Sequence, residues 1–173
     1  DVIGLSTAVT KLNIQVTRAE YIPGAIAKAF FIARSGRPGP VLVDITKDAQ
    51  FGKAKFSYEK CLGLRSYHPF PKVDLSKVQK AAALINQAKR PFVLVGQGVV
   101  LAHAEKELRS LLEKTTMPAA STLLGLSAMG SDHPQNVGML GMHGNYAPNL
   151  LTNYCDVLIA VGMRFDDRVT GDV

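Results

Sequence analysis

The chain has 173 residues, 47% of them hydrophobic and 20% charged, enough to bury a core for one domain or for parts of two. No apolar stretch approaches the roughly 18 residues of a membrane span, and no basic segment followed by an apolar one opens the chain as a signal peptide would. Most of the net charge of +6 lies in residues 1–70, with ten Lys and Arg against five Asp and Glu, while residues 71–173 hold ten against nine; with no dense basic run and no interleaved aromatic platform, a nucleic-acid interface is disfavoured.

The first element predicted is a helix from Pro23 to Arg34, with Ile22, Ile26, Phe30 and Ala33 on one face. Pro23 suits the first turn and Gly36 follows as a stop. Arg37-Pro38-Gly39-Pro40 breaks the helix, and Val41–Ile45 reads as a short buried strand closing an α/β layer. Residues 47–72 carry little periodicity and read as an interdomain linker, leaving residues 1–46 and 73–173 as parts of two domains.

The second α/β unit starts at Asp74, a plausible helix cap, with Val78, Ala81, Ala82 and Ile85 as an apolar face up to Ala88. Pro91–Val95 is a strand ending in Gly96-Gln97-Gly98, followed by a helix from Ala104 to Lys114 with Leu108, Leu111 and Leu112 inward. Pro118–Thr122 is a shorter strand. A stretch rich in Gly and Met leads to Gly144, and Ala147–Asn153 is a short helix. The wholly apolar Val157–Val161 reads as a strand buried on both faces. Strand alternating with helix implies parallel crossovers. Three strands are too few for a doubly wound domain, so the expectation is a truncated sheet, and the absence of an initiator Met points the same way. The cysteines, Cys61 and Cys155, stand far apart with no C-x-x-C, which favours a reducing, cytoplasmic setting.

Ligands of open parallel sheets bind just outside the carboxyl ends of the strands. Four stretches fall there. Gly96-Gln97-Gly98 would admit a close ligand and offer helix N–H groups to an anion; a plain tight turn is the competing reading, since Leu101 stands where a G-x-G-x-x-G would have its last glycine. Thr122-Leu123 follows the next strand and says little by itself. Gly138-Met139-Leu140-Gly141-Met142-His143-Gly144 can lie against a flat ring system, or line a core. Arg164, Asp166, Asp167 and Arg168 suit phosphate and ribose hydroxyls, or form a self-paired charge cluster. No Ser/His/Asp set, Cys/His dyad, P-loop or zinc spacing is present, so the visible signals are for binding rather than for chemistry.

Three motifs carry a family likeness. Gly36–Ile45 (GRPGPVLVDI) resembles the end of the pyrimidine-binding domain of thiamine-diphosphate enzymes. Gly138–Gly144 (GMLGMHG) and Arg164–Gly171 (RFDDRVTG) resemble the acetolactate synthase family, and the likeness runs across nearly all of the chain. It implies an α/β fold, a three-layer α/β/α parallel sheet with flanking helices of DHS-like or Rossmann-like type, here truncated. Residues 1–46 would be the C-terminal part of the pyrimidine-binding domain and residues 73–173 the first half of a central FAD-binding domain. The family joins two pyruvates, or pyruvate and 2-oxobutyrate, with loss of carbon dioxide in branched-chain amino-acid biosynthesis. It uses thiamine diphosphate, Mg²⁺ and FAD, as a homo-oligomer (dimer or tetramer), in some members with a regulatory subunit.

On that resemblance Arg37, Gly96, Gln97, Gly98, Thr122, Leu123, Leu140, Gly141, Met142, His143, Gly162, Arg164, Asp166, Arg168 and Val169 are expected to contact the FAD. Lys47, Met142, Asp167 and Arg168 are expected to line the channel for a 2-oxo acid. Glutamine at position 97 departs from the Gly or Ala common there. The glutamate that activates thiamine would lie before Asp1 and the Mg²⁺ segment after Val173. The chain alone is therefore expected to have no catalytic and no metal-binding residue, no synthase activity, and weak or absent FAD binding. Competing expectations are a pyruvate oxidase or glyoxylate carboligase type of enzyme, disfavoured by RFDDRVTG, and a non-catalytic nucleotide-binding module with a closed sheet.

Overall fold

The computed structural model describes residues 1–171 and divides into two compact units, Asp1–Val73 and Asp74–Val173. The first contains helix α1 (Val2–Ser6), strand β1 (Leu12–Val16), helix α2 (Ile22–Arg34), strand β2 (Val41–Ile45) and helix α3 (Lys47–Phe51). The two strands pair in parallel from Leu12 opposite Val41 to Val16 opposite Ile45, with α2 as the crossover. Proline in the first turn of α2 loses no hydrogen bond, and the chain leaves the helix through Ser35 and through Gly36 at φ +58°. The side chains α2 buries are Ala27, Ala29 and Ile32, whereas Phe30 is 63% exposed. The predicted Ile22–Ile26–Phe30 face is thus rotated from the one that packs, because small alanines let the helix approach the sheet closely.

The carboxyl end of α2 is held by one side chain. The Lys11 ammonium donates to the carbonyl oxygens of Ile32 (2.7 Å), Ser35 (2.5 Å) and Arg37 (2.9 Å), which uses all three of its protons on acceptors left free by the helix end. It also lies 5.2 Å from the centre of the Tyr67 ring, whose hydroxyl donates to the Ser35 carbonyl at 3.0 Å and whose edge meets Phe31. Tyr67 belongs to the 47–72 stretch, which is counted with the first unit.

The second unit is built from α4 (Leu75–Gln87), β3 (Pro91–Val95), α5 (Gln97–Leu101), α6 (Glu105–Thr115), β4 (Ala119–Ser121), a 3₁₀ segment (Leu123–Ala128), β5 (Asn136–Met139), α7 (Tyr146–Tyr154), β6 (Val157–Val161) and α8 (Asp167–Thr170). Its sheet has four strands in the order β5-β4-β3-β6, all parallel. The sequence indicates three; β5 escapes notice because Asn-Val-Gly-Met carries neither an apolar run nor a clean alternation. One face of the sheet packs Val93, Val95 and Ala119 against Val99, Leu108, Leu112 and Met117. The other packs Phe92, Leu94 and Ala120 with Leu140, Leu151, Cys155 and Val169. Helices on both faces make the three-layer α/β/α arrangement.

Two expectations fail. Strand β6 is not buried on both faces: Val157, Ile159 and Val161 are half-buried, while Leu158 (37%) and Ala160 are exposed. Among the described residues β6 pairs with β3 alone, so it is an edge, and the face shared by Leu158 and Phe92 is uncovered at that end. Helix α4 forms with its Asp74 cap on the Ser76 amide (3.0 Å), but only Ile85 of its predicted apolar face reaches the core; Val78, Ala81 and Ala82 are exposed. No helix among the described residues is long and apolar enough to cross a membrane.

Candidate functional site at the carboxyl edge of the second sheet

Because all four strands of the second unit are parallel, the segments after β3, β4, β5 and β6 leave the sheet along one edge. The first and last of these are pressed together through glycine. A Cβ on Gly96 would overlap the carbonyl of Gly162 and the Cα of Met163, and one on Gly98 would stand 2.6 Å from the Cα of Gly162. Gly162 itself has φ +61°, with the Val99 nitrogen 2.6 Å from where its Cβ would be. The loop amides are correspondingly used within the protein: Gly96 donates to the Val161 carbonyl, Gly98 to the Gly162 carbonyl at 2.7 Å, and Val99 to the Gly96 carbonyl. These glycines thus serve backbone-on-backbone packing between the first and last loops. Gln97 is half-buried at the start of α5.

After β4, Thr122 caps the 3₁₀ segment and donates its amide to the Val95 carbonyl at 2.8 Å, which leaves Leu123 (68%) and Leu124 (62%) exposed on the edge. Gly125, which sequence reasoning passes over, is pressed on the Val95 carbonyl so closely that a Cβ would overlap it. After β5, Leu140 enters the core, buried Gly141 turns at φ +107°, and Met142 (67% exposed) and His143 face outward. The turn is pinned by Asn145 and Asn149 of the α7 region. Asn145 Oδ1 accepts from the Met139 amide at 3.0 Å, and the Asn149 side chain bonds both main-chain groups of Gly141.

After β6, Arg164 Nη2 lies 2.7 Å from Asp166 Oδ2. That hydrogen bond, reinforced by the charge of Arg164, holds the Asp166 carboxyl below the usual carboxylate range and raises the Arg164 guanidinium. The other carboxylate oxygen, Oδ1, is buried and has no partner. Asp166 then precedes α8, where Asp167 and Arg168 are exposed and Val169 packs under the sheet. The Arg168 carbonyl accepts the Met142 amide at 2.8 Å, so the third and fourth loops meet directly.

The structure thus gathers Gly96, Gln97, Gly98, Thr122, Leu123, Leu140, Gly141, Met142, His143, Gly162, Arg164, Asp166, Asp167, Arg168 and Val169 along one edge of the second unit. Arg37 and Lys47 belong to the first unit. Arg37 is exposed in the turn whose carbonyl Lys11 holds, and Lys47 is exposed at the start of α3. The exposed side chains on the second edge include apolar ones (Leu123, Met142, Phe165) and two arginines (Arg164, Arg168), suited to a flat ring and a phosphate, together with His143 and the acidic Asp167. Among the described residues no three His, Cys, Asp or Glu stand together as a metal site. Asn145, Asn149 and Gly125 were missed; only their structural setting identifies them, since lone asparagines near a helix start read as turn or cap residues.

Residues 78–173 match the family described as "Thiamine pyrophosphate enzyme, central domain". The chain is 39% identical over its whole length to the acetolactate synthase large subunit of Buchnera aphidicola subsp. Schlechtendalia chinensis, of which it covers 30%. It is 43% identical, again over its whole length, to the acetolactate synthase large subunit of Corynebacterium glutamicum, covering 28% of that protein. With the acetolactate synthase of Mycobacterium leprae the identity is 45% over 99% of this chain and 27% of the relative. The chain therefore spans less than a third of the length of these curated relatives. The structure also resembles a chain from Mycobacterium smegmatis described as a thiamin diphosphate-dependent enzyme, with TM-score 0.72 and 26% identity over 90% of this chain and 29% of that one.

Proposed function

The chain belongs to the thiamine pyrophosphate enzyme family, with its central domain at residues 78–173, and from that premise we propose that it is part of an acetolactate synthase catalytic subunit. The reaction is the condensation of two pyruvates, or of pyruvate with 2-oxobutyrate, with loss of carbon dioxide, in branched-chain amino-acid biosynthesis in the cytoplasm. Residues 1–46 are the end of a pyrimidine-binding domain, and residues 47–72 lead to the central domain. The whole enzyme would work as a homo-oligomer with thiamine diphosphate, Mg²⁺ and FAD, and with a regulatory subunit where one exists.

The observation that carries this reading is the joined edge of the second unit, where GMLGMHG and RFDDRVTG meet through the Met142 amide and the Arg168 carbonyl. FAD fits that edge. Met142, Leu123 and Phe165 offer apolar contact to the rings, and Arg164 and Arg168 offer charge to the diphosphate, with Asp166 placed beside Arg164. Arg37 of the first unit is assigned a further contact to the same cofactor on the strength of its GRPGP turn. Lys47, Met142, Asp167 and Arg168 would line the approach of the 2-oxo acid, where Arg168 attracts its carboxylate. Joining two pyruvates with loss of carbon dioxide involves no net oxidation, so the flavin would shape the site rather than exchange electrons. Mg²⁺ is different: the described residues supply no ligand cluster for it, and no step is assigned to it here.

The test is a segment exchange. This chain replaces its 43%-identical counterpart in the Corynebacterium glutamicum acetolactate synthase large subunit, and the purified chimera is assayed for bound flavin and for acetolactate formed from pyruvate. Retention of both supports the proposal. A folded chimera that carries no flavin and makes no acetolactate refutes it.

A further inference from the structure

The two outermost loops of the edge meet directly through the Met142 amide and the Arg168 carbonyl, and a residue that lies in neither holds one side of that junction. Asn149 stands on α7, half-buried, one turn after the helix begins. Its Oδ1 accepts from the Gly141 amide at 2.8 Å and its Nδ2 donates to the Gly141 carbonyl at 3.0 Å. One side chain thus bonds both main-chain polar groups of one residue, whose carbonyl also accepts the Gly144 amide at 2.8 Å. Only glycine suits this position. Its φ of +107° lies where side-chain-bearing residues rarely go, and a Cβ there would stand 2.7 Å from the Arg168 carbonyl. With Gly141 held from the α7 side, the next amide, Met142, points at that same Arg168 carbonyl and bonds it at 2.8 Å. Arg168 in turn follows Asp166, whose carbonyl takes the amides of Val169 and Thr170 (3.0 and 2.9 Å). The connection runs unbroken from the α7 side chain through Gly141 and Met142 to the backbone that carries Arg164 and Arg168.

We propose that Asn149 is a positioning residue that locks the Gly141 turn and so fuses the 138–144 and 162–170 loops into one ligand-facing wall. Asn149 touches no ligand in this scheme; it sets where Met142, His143 and Arg168 stand. What the wall receives, a flavin, rests on the function proposed above, but the fusion itself does not.

The experiment is residue-resolved amide hydrogen exchange on the full chain, comparing wild type with Asn149→Ala and Asn149→Asp. Aspartate keeps the acceptor for the Gly141 amide but sets an oxygen against the Gly141 carbonyl. Both variants are expected to speed exchange at least tenfold at Gly141, at Met142, and also at Val169 and Thr170, which Asn149 does not touch. The β3 amides of Val93 and Leu94 should remain as slow as in wild type, showing that the fold persists. Unchanged exchange at Met142, Val169 and Thr170 would overturn the proposal, because Asn149 would then serve Gly141 alone. A parallel titration with FAD separates the two ideas. Binding at least tenfold weaker in Asn149→Ala supports the positioning role, and equal binding by both proteins overturns it. A wild type that takes up no FAD is the behaviour expected of the chain alone, and the exchange result then decides the fusion by itself.

Discussion

Gly98→Ala tests the glycine interlock, because two effects of opposite sign compete there. Gly98 lies in α5, and replacing a helical glycine by alanine ordinarily stabilises by about 1 kcal/mol. Against that, the new methyl would stand 2.6 Å from the Gly162 Cα, 2.8 Å from its oxygen and 3.1 Å from its carbonyl carbon, all backbone atoms. Backbone cannot swing aside as a long side chain can, so overpacking costs about 1–3 kcal/mol. Separating the two loops also weakens the Gly98 amide bond to the Gly162 carbonyl, about 0.5–1.5 kcal/mol more. The balance is a loss of about 2 kcal/mol in the second unit, a fall in melting temperature of about 10 °C for a unit of this size. Gly24→Ala in α2 is the matched control, since nothing lies within 4 Å of its Cβ position. It should gain about 0.5–1 kcal/mol in the first unit. The assay combines thermal melts followed by far-ultraviolet circular dichroism with exchange of the buried Leu94 amide as a report on the second unit. A Gly98→Ala protein as stable as wild type, or more so, would show that the loops part easily and would refute the interlock.

Two further outcomes follow from the structure. Lys11→Met should lower the stability of the first unit by about 2 kcal/mol, since three helix-end carbonyls lose a charged donor, and Lys11→Arg should restore part of it; urea unfolding with exchange of the Val16 amide reads this. The Asp156 carboxylate accepts the amides of Lys89 (2.7 Å) and Arg90 (2.8 Å), which hold its pKa below the ordinary carboxylate value. A depressed folded value means that its contribution is complete above about pH 4 and is lost as the pH falls through the folded value. Asp156→Asn should therefore be less stable than wild type at neutral pH, with the two stability curves converging under acid; parallel curves down to the lowest pH would contradict the assignment.

The parts of the fold legible in the sequence are those where one local signal suffices. Phe92-Val93-Leu94-Val95 is continuous and apolar because β3 is the inner strand, flanked by β4 and β6 and covered on both faces. The helix of Leu108, Leu111 and Leu112 shows its period for the same reason. Val157–Val161 carries the same signal as β3 yet lies at an edge, since composition records that a strand is apolar and not which neighbours cover it. Strand β1 was not anticipated because Leu12-Asn13-Ile14-Gln15-Val16 follows a short helix and turn with no marked punctuation; its alternation becomes meaningful only with β2 beside it. At the site, Arg164–Arg168 was legible as a cluster, but Asn149 was not, because eight residues separate it from the glycine it holds.

The interlock also constrains how the edge can recognise a ligand. In a phosphate loop, glycines expose main-chain amides that point at the anion. Here the amides of Gly96 and Gly98 are spent on Val161 and Gly162, and the volume a side chain would occupy holds another loop's backbone. The amides of Gly141 and Met142 are likewise taken, by Asn149 and Arg168. Gly96, Gly98, Gly141 and Gly162 therefore bring loops together, and the side chains those loops project are left free to meet a ligand. Two exposed arginines are the available cations, and one of them, Arg164, is already paired at 2.7 Å with Asp166. A diphosphate approaching this edge would compete with that carboxylate for Arg164. Binding by exposed arginines weakens with added salt, whereas binding by buried amides does so far less. If the edge binds an anion through these arginines, that binding should therefore weaken as salt is added.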